Sequence, residues 1–530
     1  MSNPLAAALA ARRFCYVVEL VATGLRREAQ LLEVASRLAT VPEVVAGSIT
    51  SYAGGAMGHD PLRVGTAARA RGLVPNIHVT CVSQDRQALA KTLEDLNALG
   101  IENVFALTGD YPRAPGPTAQ GAKAERGAKA EDGTAQGPKV QGPGVHDAKA
   151  AGGAPAELSY DLDSVQLVRL IARMRRAGMP FHVAVAVSPF KYVEADAMYQ
   201  YLKLEKKIAA GADLAITQVG WDARKFRELL RYLAERHLDT PVLGNVYVLG
   251  PRAAERMATG LPPGCWVSPA LLEVVRRESA AKDAGLEARL ERAARTVAVL
   301  RGLGYAGAYI GGTHDAAQVR WIIRRSEELA PRWQELAEEL SYGEPRGFYL
   351  YEPELATRAR SGPDGRAGRV AVTSRRGRAL VHLLDWTGRL LPVTRDTWLR
   401  RALTRLFAAI DRRPALAAAV ERLERAVKKP MFGCQACGNC VLGHMEYVCP
   451  QTCPKQMRNG PCGGTHQGQC EVVPEQPCIW TTVYRRAREA GEIESLKVYV
   501  PPPHRELRGT SSYINYFLGR DSRPAPSPSD

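Results

Sequence analysis

Residues 181–218 read FHVAVAVSPFKYVEADAMYQYLKLEKKIAAGADLAITQ. The runs FHVAVAV (181 to 187) and LAITQ (214 to 218) are apolar almost throughout, and between them YLKLEKKIAAGA repeats its apolar residues at three and four, the period of a helix. Two strands without a polar face, joined by an amphipathic helix, describe a parallel β-α-β unit covered on its outer side. The pattern extends both ways. FCYVVEL (14 to 20), VAGSIT (45 to 50), IHVTC (77 to 81) and NVFAL (103 to 107) precede the unit, and PVLGNVYV (241 to 248) and GAYIGG (307 to 312) follow it. Segments such as REAQLLEVASRLA, RQALAKTLEDLNALG and SVQLVRLIARMRRAG supply further helices. Eight repeats predict an α/β chain whose residues 1–340 form a (β/α)8 TIM barrel. A doubly wound open sheet is the alternative, and the lack of G-x-G-x-x-G after the first strand weighs against it.

Outside these repeats the composition changes. Residues 113–157 repeat TAQG and AKAE and contain only Val140 and Val145 as aliphatic side chains larger than alanine. Such a stretch cannot bury enough apolar area to offset its ordering, so a disordered insertion is expected after strand four. QVRWIIRRSEELAPRWQELAEEL reads as one or two closing helices. A connecting region at 341–429 follows, with the hairpin-like RVAVTSRRGRALVHLLD and the helical TWLRRALTRLFAAIDRRPALAAAVERLERAV. A Cys-rich metal-binding α+β domain at 430–500 and a Pro-rich tail at 501–530, ending in disorder, complete the chain.

The formal charge is +16, from 71 Lys and Arg against 55 Asp and Glu. The basic residues are scattered, as in RMRRAG and TSRRGRAL, without the interleaved aromatic residues that base stacking needs. Attraction of anionic ligands accounts for the charge, and no nucleic-acid partner is expected. MSNPLAAALAARRF is too short an apolar stretch for a signal peptide, and no run of about 18 apolar residues occurs. A cytoplasmic location with no membrane partner is expected.

Eight of the eleven cysteines are Cys434, Cys437, Cys440, Cys449, Cys453, Cys462, Cys470 and Cys478. In a reducing cytoplasm such a block reads as metal-binding before it reads as disulfide-bonded. C-x2-C-x2-C with a remote Cys-Pro suits ferredoxin-like ligation, and eight thiolates suffice for one or two [4Fe-4S] clusters. Zinc held by four thiolates is the alternative.

The strands end in polar residues: Glu19, Thr50, His78-Val79-Thr80-Cys81, Thr108-Gly109-Asp110 and Thr217-Gln218. Any one of them is explained by a strand end meeting water. Two carboxylates and a histidine converging on one barrel mouth point to a site. HVTC, VFALTGDYP, LEKKIAAGADLAITQ and the isolated glutamate of YVVELV resemble the flavin-dependent methylenetetrahydrofolate reductases. The cysteine block is similar to a C-terminal domain fused to, or partnered with, some bacterial members of that family. The resemblance implies reduction of 5,10-methylenetetrahydrofolate, with Glu19 as general acid, Asp110 beside flavin and pterin, and Gln218 hydrogen-bonded to the pterin. It implies flavin contacts for Thr50, His78, Asp110, Tyr160 and Lys207. Thr108 stands where the family has an arginine that meets the cofactor phosphates, and Gln200 where an aspartate is frequent, so both FAD and FMN stay open. The implied partners are methylenetetrahydrofolate, NAD(P)H or a protein electron donor, and a second copy or an electron-transfer partner. A non-catalytic electron-transfer or scaffold subunit and a pterin-binding methyltransferase barrel are the rival readings.

Overall fold

A computed structural model describes residues 3–22, 28–50, 52–53, 56–57, 59–111, 160–352 and 396–521. The alternation seen in the sequence becomes a closed parallel barrel of strands β1 (Cys15–Val21), β2 (Val44–Thr50), β3 (Pro75–Thr80), β4 (Asn103–Leu107), β5 (His182–Val187), β6 (Leu214–Thr217), β7 (Val242–Tyr247) and β8 (Gly307–Gly311). Closure is made by β8 against β1, with Cys15 opposite Gly307 and Val18 opposite Ile310. Gly307 permits that approach, because a Cβ there would collide with the Cys15 carbonyl.

Successive residues alternate between two cores, as the pleat requires. Val17, Ala46, Phe105, Ala184, Ile216, Leu243 and Tyr309 pack inside the barrel, while Val18, Ile49, Ile77, Val104 and Val185 pack outward among the helices. Helix α1 (Pro4–Ala10) was not read from the sequence as a structural element. It closes the end of the barrel opposite the strand C-termini, with Leu5 and Ala8 joining the inner core and Asn3 Nδ2 donating to Asn103 Oδ1 at 2.6 Å.

The closing helices appear as Ala316–Leu329 and Trp333–Glu339, and the predicted helical stretch before the cysteines as Trp398–Asp411 and Pro414–Phe432. The insertion at 113–157, the stretch RVAVTSRRGRALVHLLD and the tail beyond residue 521 lie outside the described residues. Ahead of that point, Ser512–Phe517 forms a short helix whose Phe517 stacks on Phe407 at 4.9 Å.

The cysteine-bearing segment packs onto the barrel. The helix Glu194–Ala210 has twelve of its seventeen residues buried, more than a barrel helix with a solvent face would have. The reason is a second partner: Trp480, on Ile479–Ala490, meets Tyr199 edge-on at 5.3 Å. Among the described residues no helix is long and apolar enough to cross a membrane.

Candidate active site

The strand alternation that builds the inner core carries the same faces up to the mouth. Two residues beyond Val17 stands Glu19, beyond Ala46 come Ser48 and Thr50, and beyond Ile216 comes Gln218. Glu19 is half-buried beside Gly311, and burial pushes its carboxyl up to about 7. His78 lies on the inner face of β3, against Phe105. Its Nε2 is 2.9 Å from Ser48 Oγ and 3.4 Å from the Tyr309 hydroxyl, and its ring meets Phe105 edge-on at 4.8 Å. Burial holds the imidazole down to about 3, so it is neutral across the physiological range.

Asp110 follows Gly109, whose φ of +87° and close approach to Val82 and Thr80 exclude a side chain there. The Tyr160 hydroxyl donates to the Asp110 carbonyl at 3.1 Å. Gln218 Oε1 accepts from the Val219 amide at 2.9 Å, leaving its Nε2 toward Gly264. Cys265 shows that these groups share one space: burial first, then the carboxylates of Asp110 and Glu19, raise its thiol to about 12 against the opposing charge of Lys191. Thr50 is buried at the end of β2. Lys207 Nζ donates to the Ala186 carbonyl at 2.6 Å at the end of β5. Desolvation, reinforced by Lys203, lowers Lys207 to about 7, and Lys206 is brought down to a similar value chiefly by burial.

The mouth fits a bound polar and anionic group. Buried cations depressed toward neutrality are relieved by an anion beside them. Ser188 Oγ and Gln200 Nε2 are buried with no hydrogen-bond partner among the described residues. Thr108, by contrast, is occupied: its Oγ1 accepts from the Ser164 amide at 3.3 Å.

The eight cysteines sort into two sets. Cys434, Cys437, Cys440 and Cys449 line one cavity, capped by Glu424 and Lys428 of Pro414–Phe432 and flanked by Arg458. Cys453, Cys462, Cys470 and Cys478 act on one another electrostatically in a second group, with Lys455 and Glu471 among them. Among the described residues no three His, Cys, Asp or Glu side chains are placed to hold a single ion.

The second set abuts the barrel mouth. Lys203 Nζ donates to the Pro461 and Gly460 carbonyls at 2.7 and 3.3 Å, Lys191 donates to the Thr465 carbonyl, and Gly463 approaches Gly264. Trp266 faces His466 at 5.8 Å. The sequence reading missed Ser48, Tyr309, Lys191, Lys203 and Lys455. For Ser48 and Tyr309 the signal was present, since each stands two residues before a position at the mouth. The lysines reach across domains, and spacing carries no trace of that.

Comparison with known proteins agrees with this architecture. The family model described as methylenetetrahydrofolate reductase matches residues 5–130 and 141–297, more than half of the chain. The model described as methylene-tetrahydrofolate reductase C terminal matches residues 413–506. A probable methylenetetrahydrofolate reductase (NADPH) of Caenorhabditis elegans is 24% identical over 218 residues, which are 38% of this chain and 26% of that protein. The chain thus aligns with about a quarter of that relative's length. Of solved structures, a Clostridium thermocellum protein described as binding two copies of 5-methyl-5,6,7,8-tetrahydrofolic acid aligns at TM-score 0.40 and 8% identity, over 62% of this chain and 99% of that one. A 2,3-dimethylmalate lyase aligns at TM-score 0.32 and 13% identity, over 69% and 96%. Neither structural alignment is close enough to bear on function.

Proposed function

The chain belongs to the methylenetetrahydrofolate reductase family, and on that premise we propose that it reduces 5,10-methylenetetrahydrofolate to 5-methyltetrahydrofolate. The observation that carries the reading is Glu19, a carboxyl at the barrel mouth with its pKa pushed up to about 7. Opening the five-membered ring of the substrate requires a proton at N10 while the other nitrogen becomes an iminium. A carboxylic acid still protonated near neutral pH supplies it, whereas an ordinary glutamate would already be ionised. Gln218 hydrogen-bonds the pterin, and Asp110 orients the substrate against the cofactor.

A bound flavin, FAD or FMN, supplies the hydride, with NAD(P)H or a protein donor upstream. Thr50, His78, Tyr160 and Lys207 would hold it, together with Asp110. A neutral His78 offers a hydrogen bond without an added charge, and Lys207, depressed toward neutrality, regains its charge beside an anionic group. The two cysteine sets would be the ligands of iron-sulfur clusters, which would supply electron transfer toward the mouth, with zinc in a structural role as the alternative. The division into two fours, one against the barrel, supports the first.

Glu19→Gln separates the steps. It should bind flavin and accept electrons from the donor, yet reoxidise with methylenetetrahydrofolate at least about a hundredfold more slowly than the parent. Stopped-flow reoxidation at the parent's rate would assign the proton to another group.

A further inference from the structure

One buried cation near the mouth comes from the other domain and has no role in the reading above. Lys455 follows Cys453 by two residues and is 1% exposed. Its ammonium pairs with Glu471, next to Cys470, and Nζ donates to the Gly109 carbonyl at 2.9 Å. The Tyr160 ring lies 5.8 Å from it.

The carbonyl it engages belongs to the turn that presents Asp110. That turn depends on the left-handed Gly109, and beyond β4 it has left the barrel's strand ladder. Two side chains hold it on consecutive carbonyls: Lys455 on Gly109 and Tyr160 on Asp110. Tyr160 belongs to the barrel, whereas Lys455 belongs to the cysteine-bearing domain. Gly464 accommodates the arrangement, because a Cβ there would strike the Glu471 carboxylate that pairs with Lys455.

We infer that Lys455 is a positioning residue for Asp110, so that the C-terminal domain completes the barrel's active site. This rests on the role given to Asp110 above. A charge-assisted hydrogen bond to a partly buried carbonyl is strong enough to fix a turn, and small displacements of a reacting group are costly in rate.

The test uses the full chain as Lys455→Met and Lys455→Arg beside the parent. Thermal midpoint and metal per chain report on folding and on the cysteine sets. The bound flavin is photoreduced, and its reoxidation is followed by stopped flow over a range of methylenetetrahydrofolate concentrations. Assayed well below its thermal midpoint, Lys455→Met should show a saturating rate lower by about tenfold or more with metal content unchanged, and Lys455→Arg should recover most of it. Reoxidation of Lys455→Met at the parent's rate overturns the inference. So does a rate loss matched by loss of metal, which would make the residue structural. A parent chain that passes no electrons to the folate defeats the functional reading instead. The positioning role is then judged by flavin affinity, which weakens about tenfold in Lys455→Met if the turn is displaced and stays fixed if it is not.

Discussion

Enclosing Glu19 in the barrel alters both how the chain reacts and how it folds. With its carboxyl pushed up to about 7, flavin reoxidation by methylenetetrahydrofolate should be flat below that pH and fall about tenfold per unit above it, as the acid form is lost. Glu19→Gln should lack that limb. The sign for stability follows from linkage: between the unfolded value near 4.5 and about 7 only the folded chain holds this proton, so the group's contribution to stability declines as pH rises across that window. A parent whose thermal midpoint falls no more than that of Glu19→Gln between pH 5 and 7 would contradict the assignment. From the residues alone Glu19 was one polar strand end among several, each explained by a strand meeting water, and the family resemblance singled it out. Its surroundings, Tyr247 and Tyr309 among them, were not legible, because each is an ordinary strand residue until the barrel closes.

Among the elements, the helix Ser164–Arg176 joins the two domains through its N-cap. Asp163 caps it, Oδ1 accepting from the Val165 and Gln166 amides at 3.0 and 3.1 Å while Gln166 returns a contact to the Asp163 amide. Its Oδ2 accepts from the Arg458 and Asn459 amides at 3.2 and 3.0 Å and from Asn459 Nδ2 at 3.0 Å. Asp163→Ala removes a cap and strands three buried donors, a loss of about 3 kcal/mol or more. The thermal midpoint should drop by several degrees, and Asp163→Asn should restore part of it by keeping an acceptor on the cap. A midpoint within one degree or so of the parent's would show that water replaces these contacts. The helix itself was plain from its apolar period. Its second duty was hidden, because the partners are backbone amides almost three hundred residues away. Strand positions were legible for the opposite reason: fully buried parallel strands announce themselves as unbroken apolar runs, and the observed bounds differ from the read ones by at most two residues. Helix α1 escaped because its few apolar residues, read alone, suggested no partner.

For the molecule as a whole, the cysteine spacing revealed that metal chemistry was expected but not that the two sets occupy different places. Set one, under Pro414–Phe432, is held by Lys428, whose Nζ lies 3.6 Å from Cys440 Sγ and donates to Glu424 at 2.7 Å. Set two surrounds Lys455 and touches the mouth through the 459–465 loop. The two should therefore respond differently to loss of one ligand. Cys437→Ser should shed roughly four irons and acid-labile sulfide from anaerobically purified protein, and should slow reduction of the flavin by an external donor. It should leave reoxidation of a photoreduced flavin by the folate at the parent's rate, since the side chain from this domain that engages the Gly109–Asp110 turn is Lys455, beside set two. Cys462→Ser should also shed roughly four irons, but should slow both half-reactions, because Cys462 shares its surroundings with Lys455 and Glu471. Equal effects of the two substitutions on reoxidation would place both sets at the same remove from the chemistry. Zinc in whole-number stoichiometry with no labile sulfide would end the electron-transfer role, leaving the second set as the scaffold that carries Lys455 to the barrel.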